Sequence, residues 1–354
     1  MVGSNVLYLN ETYAEELHRV SESKLQWEQL EGKSVLIAGA TGLIGSYLID
    51  LLMYRNQKMS RKMRIYALGR SEERARERFP EHFGKESFIF IEHDIINQLP
   101  TTYLFDYVIC GAGNSFPQAF SSEPAGVMAA NLIGARNMLE HARQGRAGRI
   151  LYISSGEVYG EGDGRDFTEQ YSGYVDTMNP RACYPSSKRA AETLCVSYGA
   201  QFQLDTVVAR PCHVYGPTAS LNDNRAYAQF LLQALSGKDI IMKSEGKQER
   251  SYCYVADCAT ALLTILLAGA SGQAYNIANK DSIITIRSMA ELIADACGRK
   301  IVVEPIAAPA PSGYSTVSRS VLNASKLEGL GWQALFSMEQ GIRQTVSILM
   351  NKAI

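Results

Sequence analysis

Short apolar runs at 34–38, 63–68, 87–93, 107–110, 149–154 and 204–209 recur along the first part of the chain. Between them the pattern turns polar or takes on a helical period, which predicts helices near 43–54, 72–79, 124–143 and 185–200. Strands alternating with helices at this spacing predict an α/β fold with a parallel, doubly wound sheet. From about Cys212 the pattern loosens into loops, a helix near 226–235 and short strands, with a late return to the sheet near 274–277. This reads as a smaller α/β substrate domain interleaved with the first. The boundaries are 33–211 plus a returning segment of about 251–278 for the dinucleotide-binding domain, and 212–250 with 279–354 for the substrate domain. Residues 1–32 form a polar helical extension docked at an edge, with Tyr13, Leu17, Val20, Leu25 and Trp27 as packing positions. The stretch 305–311 is proline-rich and reads as an extended surface connection.

Composition narrows the partners. The 354 residues carry a net charge of −1, so neither nucleic acid nor an anionic membrane is a bulk partner. Seven scattered cysteines without a C-x-x-C pair predict reduced, mostly buried thiols and no metal site. No secretory signal opens the sequence. Residues 34–54 are apolar, but their glycines, Thr41, Ser46 and Asp50 favour a strand, turn and helix over a membrane span. The expectation is a cytoplasmic protein.

The turn after the first strand reads Gly39-Ala-Thr41-Gly42-Leu43-Ile44-Gly45. Glycines at this spacing permit a sharp turn, a close approach of pyrophosphate to the backbone, and tight packing of helix on strand. The following helix offers unpaired N–H groups and a positive dipole end. A dinucleotide cofactor is expected here. After the second strand stands Arg70, with no acid to bond the ribose hydroxyls of NAD. This mildly favours NADP, although Arg70 also suits stacking beside adenine or plain solvation. Asp94 and Ile95 end the third strand; Asp94 suits either the adenine amino group or a turn cap.

Tyr184 and Lys188 lie one turn apart at the start of a helix. An ammonium near a phenol lowers the phenol's pKa from about 10 toward neutrality and creates a general base. Ser155 lies past the fifth strand, at the end where ligands of open parallel sheets bind.

With these motifs in order, the chain resembles the extended short-chain dehydrogenase/reductases that modify nucleotide sugars, over about residues 33–345. The resemblance rests on the glycine loop, the run 154–160, Tyr184 with Lys188, Arg210 with Tyr215-Gly216-Pro217, the run 250–257, and Leu330-Gly331-Trp332. The run 181–192 is most similar to the UDP-glucuronate decarboxylase branch. The resemblance implies a Rossmann sheet, a retained NAD or NADP, a nucleotide-diphosphate sugar as partner and a homodimer built on the helices near 124–143 and 184–200. It implies that Tyr184 removes the proton of the sugar 4-hydroxyl, Lys188 binds the nicotinamide ribose, and Ser155 holds the sugar oxygen. Glu157 matches a glutamate used at C5 or beside a C6 carboxylate, favouring decarboxylation or dehydration. Gly156 supplies no acid and leaves 4-epimerisation as the alternative. A cofactor-sensing regulator on the same fold is the alternative of another class; such proteins tend to lose the Tyr/Lys pair. His213 replaces the family's asparagine and serves either the substrate or the core. Arg225, Arg250 and Arg319 are candidate substrate residues, the last two as a diphosphate clamp or as ordinary ion pairs. Lys243 stands where relatives place an aromatic near the nucleobase, and Asn131 with Gly134 fits a structural motif.

Overall fold

The computed structural model describes residues 7–220, 223–304 and 317–350. The proline-rich stretch 305–311 lies outside the described residues. The strands are β1 (Ser34–Ala38), β2 (Arg64–Gly69), β3 (Phe88–Glu92), β4 (Tyr107–Cys110), β5 (Arg149–Ile153), β6 (Thr206–Pro211), β7 (His213–Tyr215), β8 (Ile240–Met242), β9 (Glu249–Tyr254), β10 (Ala274–Ile277), β11 (Ile283–Thr285), β12 (Ile301–Val303) and β13 (Arg319–Ser320). The helices are α1 (Glu11–Ser21), α2 (Leu43–Arg55), α3 (Glu72–Arg78), α4 (Pro117–Ser122), α5 (Pro124–Gln144), α6 (Cys183–Phe202), α7 (Ala226–Leu235), α8 (Val255–Ala268), α9 (Ile286–Cys297), α10 (Ser325–Glu328) and α11 (Met338–Met350).

Seven parallel strands form the main sheet in the order β10-β6-β5-β4-β1-β2-β3. The order reverses between β1 and β4, which opens a crevice at their carboxyl ends. Alternation along β1 explains its apolar run. Val35 and Ile37 enter one core with α2 and α8, while Leu36 and Ala38 enter the other with α5 and α6. A smaller sheet joins β7, β11 and β13 to β9, and β8 pairs with β12. The segment that rejoins the main sheet starts with α8, after Tyr254, because β9 belongs wholly to the small sheet.

The N-terminal helix is more than an edge attachment. Tyr13, Leu17 and Val20 are fully buried in the larger core. Tyr13 donates to Asp50 at 2.9 Å, and the buried Glu16 accepts from Tyr47 of α2 at 2.9 Å and Tyr254 of β9 at 2.7 Å. A carboxylate on α1 thus ties the cofactor-side helix to the small sheet. Asp50 itself is buried against Arg78 and His82. All seven cysteines are unpaired.

Candidate active site

The glycine loop sits where β1 turns into α2. Gly39 has φ of +88°, and a Cβ there would meet the Gly111 carbonyl at 2.8 Å. A Cβ on Gly45 would collide with the Gly39 carbonyl. These two glycines are demanded by the chain's own packing. Gly42 is different. It is exposed, its φ is −78°, and a Cβ would meet only the Gly39 oxygen, at 3.4 Å. Gly42 also caps α2 without a side-chain hydrogen bond to the first N–H groups. An open glycine before an uncapped helix N-terminus fits a pyrophosphate. Thr41 is exposed, and Leu43 and Ile44 are half-buried in the first turn. The Thr218 hydroxyl donates to the Leu43 carbonyl at 2.8 Å and ties this turn to the loop after β7.

A second glycine loop, Gly111-Ala112-Gly113, follows β4 and forms the other wall. A Cβ on Gly111 would press on Ile153 at 2.9 Å, and one on Gly113 would meet Asn131 at 2.6 Å. Sequence reasoning missed this loop; its signal is a Gly-x-Gly directly after a strand. Arg70 is exposed at the end of β2, where Gly69 stands in register with Glu92. Asp94 accepts the Ile96 N–H at 3.2 Å, a turn cap, and Ile95 is buried in the space that Gly134 leaves on α5.

The chemical group lies at the end of β5. Ser155 caps the turn Gly156–Tyr159 and accepts from the Glu157 N–H at 3.2 Å. Tyr184 is buried in the first turn of α6, and Lys188 lies one turn on. Ser187 donates to the Cys183 carbonyl at 2.6 Å and accepts from Asn131 of α5 at 3.1 Å, which locks the rotation of α6. Lys188 donates to the Ile153 carbonyl at 2.8 Å. Its ammonium is 4.8 Å from the Tyr152 ring centre and 5.8 Å from that of Tyr184.

The expectation that Lys188 lowers the phenol's pKa is not met in this state. Burial first, then the charge of Glu157, push Tyr184 up to about 12. Ser155, Arg225 and Arg181 pull it down. Burial also pushes Lys188 down to about 8.

Glu157 pairs with Arg181 at 2.8 Å, and Arg181 rests 4.7 Å from the ring centre of Phe120. Phe120 stacks on Tyr184 at 4.6 Å. His213 is held neutral: burial, Arg250 and Arg225 push it down to about 3, against a backbone hydrogen bond at Ser251 that raises it. Arg225 is gripped by the buried Asp223 through Nε at 3.0 Å to each carboxylate oxygen. Arg250 is buried and donates to the carbonyls of Glu249, Ser318 and Val317.

Arg319 is not brought to this group. It is in register with Glu249, and Arg250 is in register with Ser320, so Arg319 leaves the strand from the other face. There it pairs with Glu249 at 2.8 Å and Asp166 at 2.7 Å. Lys243 is exposed and lies 3.8 Å from Glu304. Other motif residues are struts. Arg210 pairs with Glu192 at 2.6 Å and donates to the Tyr159 hydroxyl at 3.0 Å. Asp257 accepts the Leu335 N–H at 2.6 Å, and Trp332 donates to Thr260 at 3.0 Å. No group of metal-ligating side chains occurs among the described residues.

The glycine loop, the serine and the Tyr/Lys pair all lie within residues 35–278, which match the model of the NAD dependent epimerase/dehydratase family. The chain belongs to that family. Among its relatives, UDP-glucuronic acid decarboxylase 1 of Danio rerio is 31% identical over 315 residues, covering 89% of this chain and 72% of that protein. UDP-glucuronic acid decarboxylase 3 of Arabidopsis thaliana is 29% identical, covering 87% and 86%. Two solved epimerase/dehydratase-type structures share the fold. UDP-glucose 4-epimerase of Thermotoga maritima with UDP-glucose superposes with a TM-score of 0.77 at 22% identity, over 91% of this chain and all of that one. UDP-glucuronic acid 4-epimerase of Bacillus cereus, with UDP-glucuronic acid and NAD, gives 0.76 at 21%, over 90% and 99%.

Proposed function

We propose that the protein oxidises C4 of a nucleotide-diphosphate sugar with a retained nicotinamide cofactor, and that the outcome is decarboxylation of a nucleotide hexuronate. The carrying observation is Glu157: on its turn it is half-buried, ion-paired with Arg181, and close enough to Tyr184 for its charge to act on the phenol. The relatives named as decarboxylases support the same outcome.

Gly39, Gly42, Gly45 and the first turn of α2 would hold the cofactor's pyrophosphate. Bound there, the nicotinamide supplies a hydride acceptor at C4 and later a hydride donor. Tyr184 takes the proton from O4, and Ser155 holds that oxygen. Lys188, on leaving the Ile153 carbonyl for the ribose, offsets the cost of the phenolate. A C4 ketone makes the C6 carboxylate that of a β-keto acid. The C5–C6 bond then breaks, carbon dioxide leaves, and the electron pair moves to the C4 oxygen. A proton adds at C5, and the ketone is reduced again. Arg250, whose charge acts on His213, would meet the diphosphate sugar together with that histidine.

Gly156 supports 4-epimerisation as a second reading and weighs against loss of water. It offers no proton, and a Cβ there would press on Leu322 at 3.1 Å. Keeping Ser155, Tyr184 and Lys188 together weighs against a purely cofactor-sensing protein. NAD is the better supported cofactor, because the matching family is NAD dependent, while Arg70 after β2 favours NADP. The exposed Met128 and Ile133 on α5 and Val196 on α6 fit a two-fold helical interface. Seven unpaired thiols fit a reducing, cytoplasmic compartment. No helix among the described residues is long and apolar enough to cross a membrane.

Glu157→Gln tests the reading. C4 oxidation, seen as cofactor reduction, should persist while product formation falls at least tenfold. Undiminished product formation removes Glu157 from the chemistry.

A further inference from the structure

We infer that Tyr152 is a positioning residue for Lys188: the face of its ring holds the lysine's buried ammonium, so that the ammonium stays charged and available to Tyr184 and to a bound ribose. The inference rests on the proposal that Tyr184 and Lys188 work together at the sugar 4-hydroxyl. Lys188 is 4% exposed, and its part in that chemistry requires a charge. A buried ammonium needs partners for that charge. Its hydrogen bond goes to the Ile153 carbonyl at 2.8 Å, at the last residue of β5. Glu192, one turn on along α6, is the carboxylate whose charge reaches it, but Glu192 is paired with Arg210 at 2.6 Å. The Tyr152 ring supplies a further partner. The ammonium stands over its face, 4.8 Å from the ring centre, closer than the 5.8 Å to the ring of Tyr184. At that distance the ring's quadrupole attracts a cation, most strongly where water is excluded.

Tyr152 lies on β5 between Leu151 and Ile153, buried in the core that holds Cys110, Ala191 and Cys195. Its hydroxyl is buried and makes no hydrogen bond. An unpaired buried hydroxyl is a cost that an aliphatic residue at this place would not carry. What Tyr152 offers its surroundings is therefore the ring. A carboxylate there would hold the ammonium in one geometry and cancel its charge toward Tyr184. A ring face attracts the ammonium over a broad area and leaves its charge intact, so Lys188 can exchange the Ile153 carbonyl for a ribose without losing the ring. The titratable groups that face Lys188 are Cys110 of β4, Tyr152 of β5, and Tyr184, Glu192 and Cys195 of α6. Burial pushes both thiols above their ordinary values, so neither gives the ammonium a counter-charge near neutral pH. Burial also pushes Lys188 down to about 8, and the ring works against that fall.

The test is a pH titration of the full-length protein by NMR of its lysine ε-carbons, with the Lys188 signal assigned by its loss in Lys188→Met. Tyr152→Leu removes the ring and should lower the Lys188 midpoint by about one pH unit. Tyr152→Phe keeps the ring and should keep the wild-type midpoint. Single-turnover reduction of bound cofactor by UDP-glucuronate should follow the same order. Its alkaline limb, where Lys188 loses its charge, should move down in Tyr152→Leu and cost about tenfold in rate on that limb. Its acid limb, where Lys188 is charged in every variant, should stay. A structural role for Tyr152 would lower Tm and leave both the midpoint and the limbs in place. Where Tyr152→Leu folds poorly, a phenylalanine fluorinated around its ring at position 152 keeps the shape, draws charge from the ring face, and should shift the midpoint the same way. A Lys188 midpoint that stays put in Tyr152→Leu, or with the fluorinated ring, overturns the inference and leaves the C4 reading intact. Undiminished cofactor reduction in Lys188→Met overturns the reading of the Tyr/Lys pair itself.

Discussion

Gly42→Ala separates what the loop does for the fold from what it does for a cofactor. Its φ of −78° is one that alanine adopts freely. The added Cβ meets only the Gly39 oxygen at 3.4 Å, an ordinary contact. Alanine is a poorer helix cap than glycine but costs less chain entropy on folding, so the net change in stability is below about 1 kcal/mol. Gly45→Ala is the control: its Cβ runs into the Gly39 carbonyl, and overpacking of that kind costs about 1–3 kcal/mol. On the proposed placement of the cofactor, the added methyl at position 42 would stand where the pyrophosphate approaches the α2 N–H groups. Loss of one charge-assisted bond is about 1.5–3 kcal/mol, or roughly 10- to 100-fold in Kd. NAD affinity by calorimetry and Tm by melting, measured on both variants, give the answer. Gly42→Ala should lose affinity at unchanged Tm. Wild-type NAD affinity in Gly42→Ala refutes the pyrophosphate cradle, and a Tm that falls as far as that of Gly45→Ala refutes the claim that Gly42 faces open space.

Three further outcomes follow from the buried groups and the surface. Tyr184→Phe should abolish turnover while cofactor stays bound, read by activity and by cofactor content after gel filtration. Burial pushes Glu16 and Asp257 each up to about 7, above their ordinary values, so their contribution to stability is fully present below about pH 4 and is lost as pH rises through 7. Tm should therefore fall from pH 5 to 8, and Glu16→Gln should flatten that slope by on the order of 3 kcal/mol; identical slopes for the two proteins would refute it. On the proposed two-fold interface of α5 and α6, Val196→Glu should turn the dimer into a monomer by light scattering with little change in fold, since Val196 is 51% exposed in the single chain; a wild-type protein that is already monomeric refutes that interface.

The parallel sheet was legible because strands covered on both faces must be apolar at successive positions, as Val35, Leu36, Ile37 and Ala38 are. The start of α6 was legible because Tyr184 and Lys188 mark one turn of one face. Long-range register was not. Nothing in the run around Arg319 says that it pairs with Glu249 and so points away from Arg250. The state of Lys188 was not legible either, because a side chain's choice between the Ile153 carbonyl and the phenol depends on where β5 ends in space. Residues 7–30 carry no chemical motif, so the burial of Glu16 between two tyrosine hydroxyls showed only in the folded chain. Arg181 was visible as part of a familiar run, but its pairing with Glu157 across the site was not.

The most direct test of the account is incubation of the purified protein with UDP-glucuronate carrying deuterium at C4, followed by mass spectrometry and NMR of the nucleotide sugar. The account predicts a product lighter by one carbon dioxide, with deuterium still at C4 and no stoichiometric consumption of added NAD, because the hydride is taken up and returned within one site. A sugar of unchanged mass with inverted C4, or a decarboxylated product that has lost its deuterium to the medium, would contradict it.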